Sequence, residues 1–171
     1  MKIISFTGRY ILIGIVAILF AQYSFAQEKP AQKTDAKKLV YKNMVDSQHF
    51  IFSAQSANPL RGGYRMLTSP YDVTVTKDSL ISYLPYFGRA YSTSYNPSEP
   101  TLNFTSTSFS YSIKPYKKNG WEITVKPKDQ MDIQKFLFII YDNGSASLNV
   151  TFNSRDPMTF NGIIQSNNKN H

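Results

Sequence analysis

The residues with the most chemical potential lie in one stretch, Tyr83-Leu-Pro-Tyr-Phe-Gly-Arg-Ala-Tyr91. Aromatic faces stack on sugars and bases, and a guanidinium pairs with carboxylate or phosphate. Tyr83, Tyr86, Phe87, Arg89, Tyr91 and the nearby Tyr95 can therefore build a flat contact surface. Arg61 can join them from the Asn58–Gly63 loop. The same stretch also reads as a corner of the fold. Pro85 and Gly88 would shape the turn while Tyr83 and Phe87 pack inward, as buried aromatics commonly do. On that second reading only Tyr86, Arg89 and Tyr91 point outward and remain available for contact.

The other reactive residue types give little. There is no cysteine, which removes thiol catalysis, disulfides and thiolate metal sites. The histidines are His49 and His171, too few for a histidine-rich metal site. His49 follows Asp46 and Ser47, but that spacing fits the end of a helix better than a nucleophilic triad. Asp72, Asp78, Glu99, Glu122, Asp129, Asp132, Asp142 and Asp156 are the candidates for a carboxylate pair of the kind that hydrolyses glycosides. Most of them sit at turns, where aspartate has a local structural reason to be. Gly62-Gly63 lacks the lysine and following helix of a phosphate loop. Asp129 to Asp132 lacks the ligand count of a calcium loop. No catalytic residue, metal site or cofactor is expected.

The elements that must hold these residues are β-strands. The chain has 171 residues, with 12 Tyr and 12 Phe among abundant Ser, Thr and Asn. Aromatic and β-branched residues suit a pleated, half-buried surface. The first 26 residues read as a signal peptide instead. Lys2 and Arg9 are its positive region, Tyr10 to Ala21 its short apolar core, and Ser24-Phe25-Ala26 its cleavage site. The expected destination is the periplasm or the medium, with no transmembrane segment after cleavage. Of 19 basic and 11 acidic residues, the leader takes two bases, leaving a surplus of six. Such a balance favours anionic lipids, polysaccharides or nucleic acid. The charges are scattered rather than striped, so nucleic acid is not expected and solubility alone explains much of the surplus.

Gln27 to Lys38 reads as a flexible linker. A short helix is expected over Asp35 to Ser47, with Leu39, Val40 and Met44 as its apolar stripe. Strands follow at His49–Gln55, Tyr64–Thr68, Tyr71–Val75 and Ser79–Leu84. A proline-rich loop, Ser92 to Pro100, comes next. Leu102 and Phe104 open a further strand, and Phe109, Tyr111 and Ile113 continue the alternation. Asn119-Gly120 signals a hairpin. A three-residue loop, Lys118 to Gly120, keeps Phe109, Tyr111, Ile113, Trp121, Ile123 and Val125 on one face, with Ile113 opposite Val125. Gly120 is then expected to be left-handed in a bulge. Phe136 to Tyr141 is apolar on both faces, which suits a central covered strand. Asn143-Gly144 turns it into the alternating run Ala146 to Phe152. Met158 to Ile164 is the last strand, and residues 166–171 are a polar tail. The fold class is mainly β. One short N-terminal helix precedes an antiparallel meander sheet curled into a barrel or sandwich, a single domain over residues 39–165.

The Tyr83–Tyr91 motif, the segment Phe52-Ser-Ala-Gln-Ser-Ala-Asn-Pro59 and the run Asn143-Gly-Ser-Ala-Ser-Leu148 together resemble the domain of unknown function 4251 family. The resemblance covers roughly Leu39 to Ile164. It implies an exported protein of Gram-negative bacteria with a single β-rich domain. It implies no activity and transfers no catalytic residue. The expected function is that of a non-enzymatic exported binding or envelope-associated protein. A glycan or a protein of the envelope is the partner class. Tyr86, Arg89, Tyr91 and Arg61 are the candidate contact residues. A hydrolase with paired carboxylates and a purely structural periplasmic protein are the rival expectations.

Overall fold

The computed structural model describes residues 30–91, 101–117 and 119–167. The expected signal peptide, the expected Ser92–Pro100 loop with Tyr95 and Glu99, and His171 of the expected polar tail lie outside them. Residues 37–171 form one compact unit.

Helix α1 spans Pro30–Asp46. It therefore begins inside the stretch expected to be a linker. Among the described residues nine strands follow: β1 Phe50–Pro59, β2 Arg65–Val75, β3 Leu80–Pro85, β4 Thr101–Ser106, β5 Phe109–Pro115, β6 Gly120–Pro127, β7 Ile133–Tyr141, β8 Ser145–Phe152 and β9 Met158–Gln165. All pairings are antiparallel, in the order β4-β3-β2-β1-β9-β8-β7-β6-β5. The two outermost strands, β4 and β5, are consecutive and joined only by Thr107 and Ser108. So short a link brings the two ends of the order together at that point, and the sheet curls into a nearly closed barrel. This decides between the barrel and the sandwich. Asp129 pins the link. Its carboxylate accepts from the Ser106 hydroxyl, from Thr107 N at 3.0 Å and from Ser108 N at 3.3 Å.

Alternation fills the interior. Phe50, Phe52, Val73, Val75, Leu80, Leu84, Ile123, Val125, Phe136, Phe138, Ile140, Leu148, Val150 and Phe160 are all fully buried. Phe138 meets Phe50 edge-on at 5.7 Å and Phe52 at 5.9 Å, and lies roughly parallel to Phe136 at 6.4 Å. The middle of the order is β9, not β7. The doubly apolar sequence of β7 therefore reflects a half-buried outer face at Leu137 and Ile139 rather than a central place.

The expected helix stripe is rotated. Tyr41, Met44 and Val45 pack on the core, while Leu39 and Val40 are exposed. The rotation is set at the helix end. His49 N donates to Met44 O and Gln48 N to Val45 O, with Gln48 left-handed at φ 53°. This is a Schellman cap. The Tyr111 hydroxyl also donates to Val45 O at 3.0 Å. Desolvation at that position holds the Tyr111 phenol well above its ordinary pKa.

The β5–β6 hairpin corrects a register. Ile113 faces Ile123 and Tyr111 faces Val125, two residues away from the expected pairing. A two-residue shift preserves the faces, so the apolar set stays together. The left-handed residue is Lys117 at φ 50°, not Gly120. Gly120 is glycine because β7 runs so close that a β-carbon would overlap Ile140 O. A left-handed glycine does occur at the next hairpin, where Gly144 has φ 86° and donates to Tyr141 O.

Candidate functional site

The strand β3 sets the phase of the Tyr83–Tyr91 stretch. Leu80, Ser82 and Leu84 point into the barrel, and Tyr86 continues that period of two. Tyr86 is therefore buried, at 3 % exposure, and not outward as expected. Tyr83, expected inside, is exposed and stacks at 5.3 Å on Tyr71 of β2. Ser82 disguised the phase in the sequence, because a small polar residue stands at an inward position.

Beyond Pro85 the chain crosses to the β8–β9 connection and pairs with it. Ala90 and Arg155 form an antiparallel bridge, Tyr91 N donates to Ser154 O at 2.8 Å and Asp156 N to Arg89 O at 2.9 Å. The Tyr86 hydroxyl lies within hydrogen-bond distance of two backbone carbonyls, Arg89 O at 2.9 Å and Asp156 O at 3.1 Å. Gly88 lets the chain pass over that ring, since a β-carbon there would overlap the Tyr86 hydroxyl. On the other side the Arg155 guanidinium covers the rings of Tyr86 at 5.0 Å and Phe152 at 4.4 Å. Its Nε donates to Asp132 Oδ2 at 2.5 Å, and the Asp132 carboxylate also accepts from the Ser154 hydroxyl.

Asp156 is the residue that orders the outer side of this corner. It is 4 % exposed. The Tyr91 hydroxyl donates to its Oδ1 and Arg89 N to its Oδ2 at 3.3 Å. These bonds hold the carboxyl below its usual pKa, with smaller help from the charges of Arg61 and Arg89, while the shared bond raises that of Tyr91. Arg61 and Arg89 come from separate loops, and the charge of each acts on both Tyr91 and Asp156. Neither arginine makes an ion pair with a described carboxylate. Three of the four expected contact residues, Arg61, Arg89 and Tyr91, are exposed, and the fourth, Tyr86, is buried with its hydroxyl against the backbone of Arg89 and Asp156. Asp156 was visible beforehand only as an acid at a turn before Pro157. Nothing local revealed that it would lie under a segment seventy positions earlier.

The remaining acids with contacts have structural partners. Asp129 holds the β4–β5 link, Asp132 holds Arg155, and Asp142 pairs with Lys38 at 3.6 Å. Among the described residues there is no group of three potential metal ligands, and no helix long and apolar enough to cross a membrane. His49 Nε2 contacts Asn167 O at 3.3 Å, a bond between the helix end and the residues just after β9. At the opposite end of β9 from the corner, an apolar hollow of about 330 Å³ lies between Val40, Tyr41 and Met44 of α1 and Ile163 and Ile164.

Comparison with family models gives a match to the domain of unknown function DUF4251 over residues 32–164. The chain belongs to the DUF4251 family. Its fold is similar to the crystal structure of a DUF4251 family protein from Bacteroides eggerthii, with a TM-score of 0.58 at 14 % identity. The likeness covers 79 % of this chain and 91 % of that one. At that identity it shows the DUF4251 fold alone. No curated protein matches the chain.

Proposed function

We propose that this DUF4251 protein is an exported, non-catalytic binding module of the bacterial envelope, and that its contact surface is the corner formed by Arg61, Arg89 and Tyr91. The observation that carries the reading is the exposed Tyr91 ring tied to the buried Asp156 carboxylate, which also accepts from the backbone of the exposed Arg89. The backbone beneath them is fixed by Tyr86 and Asp156, so the surface is organised before any partner arrives. Preorganisation of this kind lowers the ordering cost of binding. The pattern of Lys2, Arg9, the apolar run to Ala21 and the Ser24-Phe25-Ala26 site supports export.

Two measurements test this. Fractionation with N-terminal sequencing should find the protein outside the cytoplasm, beginning at Gln27; a cytoplasmic protein retaining Met1 would refute export. A panel of envelope glycans, envelope proteins and envelope lipids should then give binding that falls in R61Q/R89Q, at unchanged melting temperature. A ligand bound equally well by the variant would place the contact surface elsewhere.

A further inference from the structure

The β1–β2 hairpin extends the corner. The strand β3 pairs with β2 only from Asp72 to Val75, so Arg65 to Tyr71 run on without it. The connection Leu60–Tyr64 turns through Gly62 and Gly63, both at positive φ. Around this tip three large apolar side chains face solvent: Leu60 is 62 % exposed, Tyr64 61 % and Met66 68 %. Tyr64 and Met66 stand together, with the hydroxyl 3.6 Å from the thioether sulfur. Tyr91, 67 % exposed, lies on the adjoining corner. Arg65 ties the two parts into one surface by stacking on Phe87 at 4.7 Å.

Cations are interspersed with these groups. Arg61, Arg65 and Arg89 all belong to the surface, and the sequence has no acid between Asp46 and Asp72. Among the described residues of the corner, Asp156 is buried with both carboxylate oxygens engaged, and Asp132 is taken up by Arg155 and the Ser154 hydroxyl. Soluble proteins leave single apolar residues exposed as a matter of course, but a contiguous group rimmed by one sign of charge marks an interaction site. The composition selects the partner. A glycan is gripped by aromatic faces and polar groups, which gives Leu60 and Met66 nothing to do. A lipid surface uses both halves. Aliphatic side chains enter the interface, tyrosine rings sit at headgroup level, and arginines meet anionic headgroups.

We infer that the tip of the β1–β2 hairpin and the adjoining corner form a peripheral docking site for an anionic phospholipid surface. Leu60, Tyr64 and Met66 enter the headgroup region, and Arg61 and Arg89 bind the phosphates beside them. This rests on the reading of the corner as a contact surface and names its partner.

Vesicle flotation tests it. The protein is recovered from the exporting compartment and mixed with vesicles of phosphatidylcholine alone, or of three parts phosphatidylcholine to one part phosphatidylglycerol. Binding is expected only to the second and should weaken with added salt, because the attraction is screened. R61Q and R89Q should each lose about fivefold, the attraction of one cation near an anionic surface. L60S/M66S should lose about tenfold, from apolar area no longer removed from water. All these side chains are exposed, and melting curves should be unchanged. Every variant keeps the same N terminus, so association through residues 1–26 would be common to all and insensitive to these changes. Equal binding to both vesicle types, or equal binding by all variants, overturns the inference. Arginine-dependent binding to a glycan or envelope protein, without vesicle binding, also overturns it but leaves the corner as a contact surface. Failure of every ligand removes both readings.

Discussion

The phenol of Tyr86 lies 3.1 Å from the backbone carbonyl oxygen of Asp156, seventy positions further along the chain. That contact joins the end of β3 to the start of β9. It also explains why an aromatic that resembled a binding residue is buried. Tyr86 packs edge-on against Phe152 at 5.5 Å, and its one hydroxyl proton is shared between the Asp156 carbonyl and the Arg89 carbonyl, which also accepts from Asp156 N.

Replacing Tyr86 separates its two contributions. Tyr86→Phe keeps the ring and removes the hydroxyl, which takes that donor from the Asp156 carbonyl, while Arg89 O keeps the bond from Asp156 N. A loss of about 1–2 kcal/mol is expected. Tyr86→Ala removes the ring as well and should cost about 3–5 kcal/mol. Urea titration measures both. A Tyr86→Phe protein as stable as the parent would show that the hydroxyl is not holding the corner.

Acid should weaken the fold through Asp129 and Asp156. Hydrogen bonds hold both carboxyls below their ordinary pKa, led by the Ser106 hydroxyl for Asp129 and the Tyr91 hydroxyl for Asp156. A depressed folded-state pKa means that the unfolded chain takes up protons first. The stabilisation is thus complete above the unfolded value, near pH 4, and is lost as pH falls through the lower folded values. The urea midpoint should be nearly level from pH 7 to 5 as far as these groups are concerned, then drop. Asp129→Asn/Asp156→Asn should start lower and fall less steeply. An unchanged acid limb in the double variant would show that other groups carry it.

What was legible in the sequence was whatever depends on a period of two. The barrel strands and the shared face of β5 and β6 follow from alternation and turn chemistry. The errors have a common physical origin, because phase and partner are set by tertiary contacts. Ser82 stands at an inward position, so the inward phase of Tyr86 was hidden. The rotation of α1 is fixed by Tyr111, sixty-six positions beyond Val45. The role of Asp156 depends on a crossing that no local pattern encodes. The β5–β6 register slipped by two because Asn119-Gly120 was given the turn, whereas Lys117 takes the left-handed position.

Glycine at 162 is fixed by crowding, not by torsion. It pairs with both Ala54 and Ala146, and a β-carbon there would overlap the Ser53 carbonyl. Neither neighbour can give way, since both strands are central in the sheet. Gly162→Ala should cost more than about 4 kcal/mol, in the range reserved for core disruption. Gly144→Ala should act differently. It strains a left-handed turn and strikes the Tyr41 ring, so α1 should loosen while the barrel persists. Hydrogen exchange distinguishes them: protection lost throughout for Gly162→Ala, and lost first in α1 for Gly144→Ala. Equal, uniform loss in both would contradict the local account of Gly144.

Ser82 offers a substitution expected to stabilise the protein. Its side chain is fully buried on the inward face of β3, and its hydroxyl has no hydrogen-bond partner among the described residues. Its neighbours across the ladder are Val73 and Phe104. An unsatisfied buried hydroxyl costs free energy that the folded state recovers nowhere. Ser82→Ala removes the polar atom and leaves only a small void. The gain should be about 1 kcal/mol, the smaller part of the desolvation penalty remaining after the void is counted. For a domain of this size that corresponds to a rise of about 3 °C in the melting midpoint. Ser82→Thr keeps the hydroxyl and adds a methyl group, so it should not share the gain. A melting midpoint that falls in Ser82→Ala would mean that the hydroxyl is satisfied, with a buried water as the partner to look for in a crystal.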